Sequence, residues 1–295
     1  MSAIKDQEVT KNYAIYNGDC MDVLQSIPDE SVDLSIYSPP FAGLYNYSSS
    51  ERDFSNCENK EQFLDQYDYL IAQMARVTKP GRITAVHCTD VFDNACRLWD
   101  FPHEIIRIHE KYGLLTKKGD NAVPVTHSCG FKRYAGDTPI LPNILQAWNN
   151  ANDSKLTAEE LWDTLNKMFY DHEDPKSNKL SHYIWQRYAS SVRDDIRIDN
   201  VLPFRDAREE DDEKHVHPLQ LDVIDRLVDL YSNVGETVLT PFMGVGSEVY
   251  SPVSLGRKAI GIELKDSYFK QAKINLSLAE SRFTDEVFEP MDLFA

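Results

Sequence analysis

The sequence predicts an α/β protein built on a mostly parallel β-sheet. In the first hundred residues, strand-like and helix-like segments alternate in the order strand, helix, strand, helix, strand, which is the signature of a parallel sheet. The alternation returns near the end of the chain, where a strand, a glycine loop, a helix and a second strand follow one another. A length of 295 residues with 42% hydrophobic residues provides a sizeable core for such a fold.

The first block of the chain contributes three strands and two helices. We predict strands at residues 13–17, 32–37 and 82–87, and a short helix at 22–27. Five apolar residues at helical spacing indicate the second helix, and these are Phe63, Tyr67, Leu70, Ile71 and Met74.

The last block begins and ends with a helix. Four apolar residues mark one face of its first helix, namely Leu219, Val223, Leu227 and Tyr231. We then predict a strand at 237–240, a helix at 248–255, a strand at 259–262 and a closing helix at 267–278.

Between about residues 110 and 215 the alternation is lost, and we interpret this stretch as an insertion. The predicted division is therefore 1–109, 110–215 and 216–295, with the two outer segments forming one domain. The chain carries 48 Asp and Glu against 31 Lys and Arg, a net charge of −17. That balance argues against holding nucleic acid by bulk electrostatics, although it is compatible with a local basic face.

Several features narrow the class of protein. No run of about 18 apolar residues is present, so we expect no transmembrane helix, and the polar N-terminus is unlike a signal peptide. The five cysteines contain no Cys-x-x-Cys pair, which favours free thiols in a reducing cytosol. His215 and His217 lack a partner at ligand spacing, so we expect a structural or surface role for them and no metal.

The stretch Ser38-Pro39-Pro40-Phe41 directly follows the strand at 32–37. Two prolines stop the strand, because proline has no N–H to continue a ladder. The carbonyls of Ser38 and Pro39 are then expected to point out of the sheet, beside a hydroxyl and an aromatic face. That set suits a planar ring that bears an amine. A strand end followed by a simple turn is the alternative.

A glycine loop, Gly244-Val-Gly246, lies between a strand and a helix, and Glu263 ends the next strand. Glycines let the backbone approach a ligand closely, and a helix N-terminus favours an anion such as a carboxylate. An acid at the position of Glu263 accepts hydrogen bonds from ribose hydroxyls. The loop is shorter than Gly-x-Gly-x-x-Gly, so it suits a nucleoside with a small acidic tail, such as S-adenosylmethionine, better than a dinucleotide.

Together these stretches resemble the amino-group DNA methyltransferases of the N4-cytosine/N6-adenine family. The motif at 38–41 is similar to the catalytic motif of that family, and the loop at 241–246 is similar to its S-adenosylmethionine loop. The catalytic motif comes first, as in the family's beta group, and the chain looks most similar to bacteriophage and prophage members. The resemblance implies a Rossmann-like S-adenosylmethionine-dependent methyltransferase fold, circularly permuted, with a target-recognition region inserted at 110–215.

The resemblance also implies roles for individual residues. Asp19 would bind the cofactor adenine, or would only cap the helix at 22–27, and Glu263 would bind the ribose. The other implied cofactor contacts are Thr240, Phe242, Gly244, Gly246 and Ser247. The family more often has aspartate at the position of Thr240, so a hydroxyl here replaces a carboxylate that could bind the cofactor ammonium.

The implied catalytic residues are Ser38, Pro39, Pro40 and Phe41. If Ser38 Oγ and the Pro39 carbonyl accept both N–H bonds of an exocyclic amine, the nitrogen lone pair can attack the sulfonium methyl. The base would be flipped out of the duplex and stacked on Phe41. Tyr45 or Tyr47 could close over it, or could only pack within their loop. The Ser-Pro-Pro-Phe form favours N4 of cytosine, with N6 of adenine as the alternative.

Double-stranded DNA is the expected partner, and both a monomer and a homodimer are left open. Candidate phosphate contacts are Lys117, Lys118, Lys132 and Arg133, with surface solvation as the alternative. Two rival functions are methyl transfer to RNA or a protein glutamine amide, and an inactive methyltransferase fold that acts as an acidic interaction protein. We expect a stand-alone modifier in the cytoplasm of a bacterial or phage-infected cell.

Overall fold

A computed structural model of the chain describes residues 4–40, 52–88, 91–92, 98–113, 155–157, 160, 196–207 and 218–282. Several residues singled out in the sequence lie outside these ranges, and they are Phe41, Tyr45, Tyr47, Lys117, Lys118, Lys132, Arg133, His215 and His217. Their roles stay predictions.

The described chain contains a main sheet, a small two-stranded sheet and helices on both faces of the main sheet. The main sheet comprises β1 (Ile4–Val9), β2 (Tyr13–Gly18), β3 (Val32–Tyr37), β4 (Thr78–Val86), β7 (Thr237–Thr240) and β8 (Lys258–Glu263). The small sheet comprises β5 (Val91–Phe92) and β6 (Leu98–Trp99). The helices are α1 (Cys20–Leu24), α2 (Lys60–Val77), α3 (Phe101–Lys111), α4 (Leu221–Tyr231), α5 (Ser247–Ser254) and α6 (Asp266–Arg282).

The main sheet runs in the order β1-β2-β8-β7-β3-β4. The edge strand β1 is antiparallel to its neighbour, and the other five strands are parallel to one another. The predicted α/β class with a mostly parallel sheet is therefore confirmed. Because β7 and β8 lie between β2 and β3, the two ends of the chain build one sheet. The carboxyl ends of all five parallel strands meet at one edge, where ligands bind in open α/β sheets.

The strand β1, the helix α3 and the small sheet of β5 and β6 were not anticipated from the sequence. β1 has the sequence Ile-Lys-Asp-Gln-Glu-Val and is mostly exposed, so it lacks the alternation of a half-buried strand. It is an antiparallel edge strand, which tolerates charged side chains. The helix α3 buries Phe101, Ile105 and His109 at a spacing of four residues, with a proline in its first turn. Because one of the three buried positions is a histidine, the hydropathy of the sequence alone does not indicate this helix.

Helix α2 packs the first core cluster against the sheet. Its predicted apolar face is confirmed, since five side chains are fully buried: Phe63, Tyr67, Leu70, Ile71 and Met74. The side chain of Asn59 caps the helix by accepting a hydrogen bond from the Gln62 N–H at 2.8 Å. On the opposite face, α4 packs Ile224 and Val228 against the sheet.

Residues 196–207 pack on the same core, although they belong to the predicted insertion. Leu202 and Ala207 are buried in a cluster with α5 and α6. The Asn275 side chain of α6 donates a hydrogen bond to the Pro203 carbonyl at 3.1 Å. The Arg197 guanidinium pairs with the Asp222 carboxylate of α4 at 2.6 Å. These contacts attach residues 196–207 to the helices of the last block, and the division at 110–215 stays a prediction.

None of the helices in the described ranges has the length and apolar character that crossing a membrane requires.

Candidate active site

A cavity of about 380 Å³ opens at the carboxyl edge of the parallel strands. The predicted catalytic stretch and the predicted cofactor loop line the same cavity, although about 200 residues separate them in the sequence. Its wall includes Asp19, Ser38, Pro39, Pro40, Phe242, Gly244, Ser247 and Glu263. The strand ends bring these side chains together, as the fold requires.

Ser38 lies directly after β3, beside the end of β4. The His87 backbone N–H donates to the Tyr37 carbonyl at 2.9 Å, so the ladder between the two strands continues to the cavity wall. Ser38 Oγ lies 3.5 Å from His87 Nδ1, at the long end of hydrogen bonding. His87 is exposed at the cavity wall. Partial loss of hydration there lowers its pKa, so its imidazole is neutral at pH 7 and can accept a proton.

His87 was overlooked as a functional residue, because in the sequence it only ends a predicted strand. One feature of the sequence could have indicated it: His87 ends one predicted parallel strand, and Ser38 follows the end of another. The pairing of β3 with β4 supplies the missing information, since Tyr37 lies opposite Val86.

A buried network holds β3 beneath the catalytic stretch. The Tyr37 hydroxyl lies 3.0 Å from the Tyr67 hydroxyl and 3.1 Å from His109 Nε2. His109 Nδ1 lies 2.7 Å from the Ile105 carbonyl, which can only accept. The neutral tautomer therefore carries its proton on Nδ1, and Nε2 accepts the Tyr37 proton. Burial raises the pKa of Tyr37 and lowers that of His109, so both stay neutral.

Asp19 caps helix α1 and also lines the cavity. One carboxylate oxygen accepts from the Met21 N–H at 2.8 Å and caps α1, as the simpler alternative expected. The other oxygen lies 3.0 Å from a guanidinium nitrogen of Arg52. The side chain also lines the cavity, so contact with a bound adenine stays a prediction.

Glu263 fastens the glycine loop to the end of β8. Its Oε2 accepts from the Gly244 N–H at 2.8 Å and its Oε1 from the Lys265 N–H at 2.8 Å. Each oxygen keeps a lone pair for a further donor. Burial raises the pKa of Glu263 to about 7. The carboxyl is therefore fixed in orientation before a ribose could meet it.

The two glycines of the loop serve different purposes. Gly244 has φ +55° and a Cβ there would meet no atom within 4 Å, so its exposed side faces open space. Gly246 has φ +100° and a Cβ there would lie 3.3 Å from Ala272 Cβ of α6. Gly246 does not line the cavity. Backbone conformation and the packing of α6 favour glycine here, and a contact of Gly246 with the cofactor stays a prediction.

Thr240 and Ser247 differ in a way that the sequence did not indicate. Both are almost fully buried, and neither hydroxyl has a hydrogen-bond partner in the described part of the chain. Ser247 lines the cavity, whereas Thr240 does not. Thr240, like Gly246, therefore lies outside the cavity lining, whereas Asp19, Phe242, Gly244, Ser247 and Glu263 line it.

Aromatic side chains form one wall of the cavity. The Phe242 ring meets the Tyr37 ring edge to face at 5.9 Å and the Phe54 ring at 5.6 Å. Phe54, with Arg52 and Asp53, comes from the segment before α2 and was not predicted to reach the site. Nothing in the local sequence signals that contact, because it depends on the packing of Phe54 against Phe242 in the folded chain.

Comparison with known proteins agrees with this arrangement. A family model described as DNA methylase, N6_N4_Mtase, matches residues 32–274. The type II methyltransferase M.BamHI of Bacillus amyloliquefaciens is 25% identical over 281 residues, covering 93% of this chain and 60% of that protein. The DNA adenine methyltransferase YhdJ of Escherichia coli K12 is 25% identical over 280 residues, covering 92% of this chain and 85% of that protein. The chain thus spans less than two thirds of M.BamHI.

Solved structures share the fold. A DNA modification methylase from Thermus thermophilus superimposes with a TM-score of 0.56 and 20% identity, covering 93% of this chain and 97% of that one. A further structure of that methylase is a complex with S-adenosyl-L-methionine. The cytosine-N4-specific PvuII DNA methyltransferase superimposes with a TM-score of 0.50 and 16% identity, covering 97% of this chain and 92% of that one.

The family model covers more than half of the chain, including both the catalytic stretch and the glycine loop. The chain therefore belongs to the family of S-adenosylmethionine-dependent DNA amino-methyltransferases.

Proposed function

We propose that this protein transfers the methyl group of S-adenosylmethionine to the exocyclic amine of a base in double-stranded DNA, with N4 of cytosine as the favoured target. One observation carries the proposal: Ser38 and Pro39 share a single cavity with Glu263 and the glycine loop. A methyl donor held by the loop would thus lie beside acceptors for an amine.

The residues of the cavity fit the cofactor. Glu263 has lone pairs free for two ribose hydroxyls. Ser247 is 1% exposed, and its buried hydroxyl has no partner in the described chain, so this hydroxyl is left to donate to a carboxylate at the N-terminus of α5. Phe242 and Phe54 offer apolar surface to the nucleoside. S-adenosylmethionine supplies an electrophilic methyl group on a sulfonium.

The protein contributes to the reaction by orienting the amine through hydrogen bonds and by accepting the one proton that the amine loses. Ser38 Oγ and the Pro39 carbonyl would accept the two N–H bonds, so that the nitrogen lone pair localises towards the methyl group. As the N–C bond forms, the nitrogen must lose one proton. Ser38 can take that proton while passing its own to Nδ1 of His87, 3.5 Å away.

The choice of base rests on the catalytic stretch. Serine at position 38, followed by Pro-Pro-Phe, favours cytosine N4 within the family that the chain resembles. The similar proteins include methyltransferases of both adenine and cytosine, since YhdJ is named an adenine methyltransferase and the PvuII enzyme is cytosine-N4-specific. N6 of adenine is therefore the second candidate.

The insertion at 110–215 would carry the target-recognition surface, with Lys117, Lys118, Lys132 and Arg133 as phosphate contacts. The acidic net charge predicts weak non-specific binding and a shallow salt dependence.

Competition between substrates tests the proposal. Labelled S-adenosylmethionine is incubated with the full chain and equal amounts of mixed-sequence duplex DNA, RNA and a glutamine-containing peptide. We expect the labelled methyl group in the DNA alone. Label mainly in RNA or peptide would assign the chemistry to another substrate, and no label in any pool would support an inactive fold.

A further inference from the structure

Glu248, the second residue of α5, is a buried carboxyl that lines the cavity. Its side chain is 6% exposed. In the described part of the chain its carboxyl forms no hydrogen bond or ion pair with another residue. Burial, with the nearby Glu263 carboxyl, raises the pKa of Glu248 to about 8. An ionised carboxylate without a partner in such a place is unfavourable, so the free protein keeps it protonated at pH 7.

The other acids of the cavity differ from Glu248 because each is already held. Asp19 accepts from the Met21 N–H and pairs with Arg52. Asp53 accepts from the Ser55 N–H at 2.9 Å. Glu263 accepts from two backbone N–H groups.

The cations of the cavity wall are also engaged elsewhere. Arg52 pairs with Asp19 and Asp22. The Lys265 ammonium lies 4.8 Å from the centroid of the Tyr268 ring. Among the described residues, the cavity wall therefore carries four carboxyl groups and two cationic side chains, and both cations already have partners. Of the four carboxyl groups, that of Glu248 is the one suited to bind a positively charged group of a ligand.

Ser247, the neighbour of Glu248, indicates which kind of positively charged ligand would fit. Ser247 lines the cavity and is 1% exposed, and its buried hydroxyl has no hydrogen-bond partner in the described ranges. An unused donor and an unused carboxyl on adjacent residues complement an amino-acid zwitterion, whose carboxylate and ammonium are attached to one carbon.

We propose that Glu248 binds the α-ammonium of the methionine part of S-adenosylmethionine and ionises when the cofactor binds. This inference rests on the proposed function for the identity of the cofactor. The carboxyl would release its proton as the ammonium arrives, because an adjacent positive charge favours the ionised form. Glu263, Asp53 and Asp19 face the same space and oppose that ionisation, while Arg52 and Lys265 favour it.

Calorimetry on the full chain with three ligands tests the proposal. The ligands are S-adenosylmethionine, S-adenosylhomocysteine, which lacks the positive sulfur, and 5′-methylthioadenosine, which lacks the amino acid. Glu248→Gln is expected to weaken the first two by roughly tenfold to hundredfold, the worth of a hydrogen bond between charged groups. Binding of 5′-methylthioadenosine should stay unchanged. Glu61→Gln, on the exposed face of α2, is the matched control.

Each other pattern would overturn the proposal. Weaker binding of S-adenosylmethionine alone would place Glu248 beside the sulfonium. Equal weakening of all three ligands would mean that the substitution damages the cavity. Unchanged affinity for all three would exclude a contact.

Proton release supplies a second readout. Binding of S-adenosylmethionine to the wild-type chain at pH 7, measured in buffers of different ionisation enthalpy, is expected to release up to one proton. Glu248→Gln should release fewer, and equal release by both would contradict the proposal. Because these measurements need no DNA, a chain that binds the cofactor as expected but methylates no DNA would refute only the proposed function.

Discussion

Ser38 Oγ and His87 Nδ1 lie 3.5 Å apart where β3 and β4 end side by side. The separation is long for a hydrogen bond, but catalytic contacts often tighten only when substrate is bound. Partial loss of hydration at the cavity wall lowers the pKa of the exposed His87, so its imidazole can accept a proton at pH 7. In the proposed reaction, this pair would carry the proton of the amine away from the reacting nitrogen.

Replacing His87 by alanine is expected to lower the rate of methyl transfer by about 100-fold or more, the range of a general base. The affinity for S-adenosylmethionine should change little. The wild-type single-turnover rate should rise as pH increases through a pKa below 6.5, and the variant should lack that step. A variant with the wild-type rate and pH profile would remove His87 from the mechanism.

Tyr37→Phe is expected to destabilise the protein by about 1–3 kcal/mol, because the Tyr67 hydroxyl and His109 Nε2 would each lose a buried partner. Urea unfolding measures the change. Tyr69→Phe is a suitable control, since the Tyr69 side chain is 68% exposed. Equal stability of the Tyr37 variant and the control would show that the network contributes nothing.

The two loop glycines should respond differently to asparagine, which tolerates positive φ better than most residues. Gly244→Asn is expected to weaken cofactor binding at least tenfold with little loss of stability, because its side chain enters open space at the cavity. Gly246→Asn should instead lower the free energy of unfolding by about 1–3 kcal/mol, because its Cβ crowds Ala272 of α6. Calorimetry and urea unfolding on both variants separate the effects. A stable Gly246 variant would contradict the packing explanation.

The free protein should lose stability as pH rises from 7 to 8.5. Burial raises the pKa of Glu248 to about 8 and those of Glu263 and Asp229 to about 7. In this range the folded state binds more protons than the unfolded state, so the free energy of unfolding falls with pH. Urea unfolding at both pH values measures the fall, and Glu248→Gln should make it smaller. A free energy of unfolding that increases across this range would contradict the sign.

Much of this site was accessible from sequence because its chemistry follows regular elements. The strand at 32–37 and the prolines after it place Ser38, the strand before the loop places Gly244, and the strand after the following helix ends at Glu263. The fold then brings the two stretches together, as parallel strands must.

What the sequence could not supply depends on tertiary packing. Arg52 reaches Asp19 only because its segment folds back over the sheet. Glu248 follows the glycine loop in the sequence, but its burial and lack of a partner appear only in three dimensions. The close approach of α6 to Gly246 likewise depends on tertiary packing, and the predicted contact of Gly246 with the cofactor stays untested.

The most direct test of the proposed function is nucleoside mass spectrometry of DNA from a host that expresses the wild-type chain or Ser38→Ala. We expect N4-methylcytosine with the wild-type chain and its loss with the variant. N6-methyladenine in its place would correct the target base. No new methylated base, or equal methylation by the Ser38 variant, would contradict the central claim that Ser38 and the glycine loop form a DNA methyltransferase site.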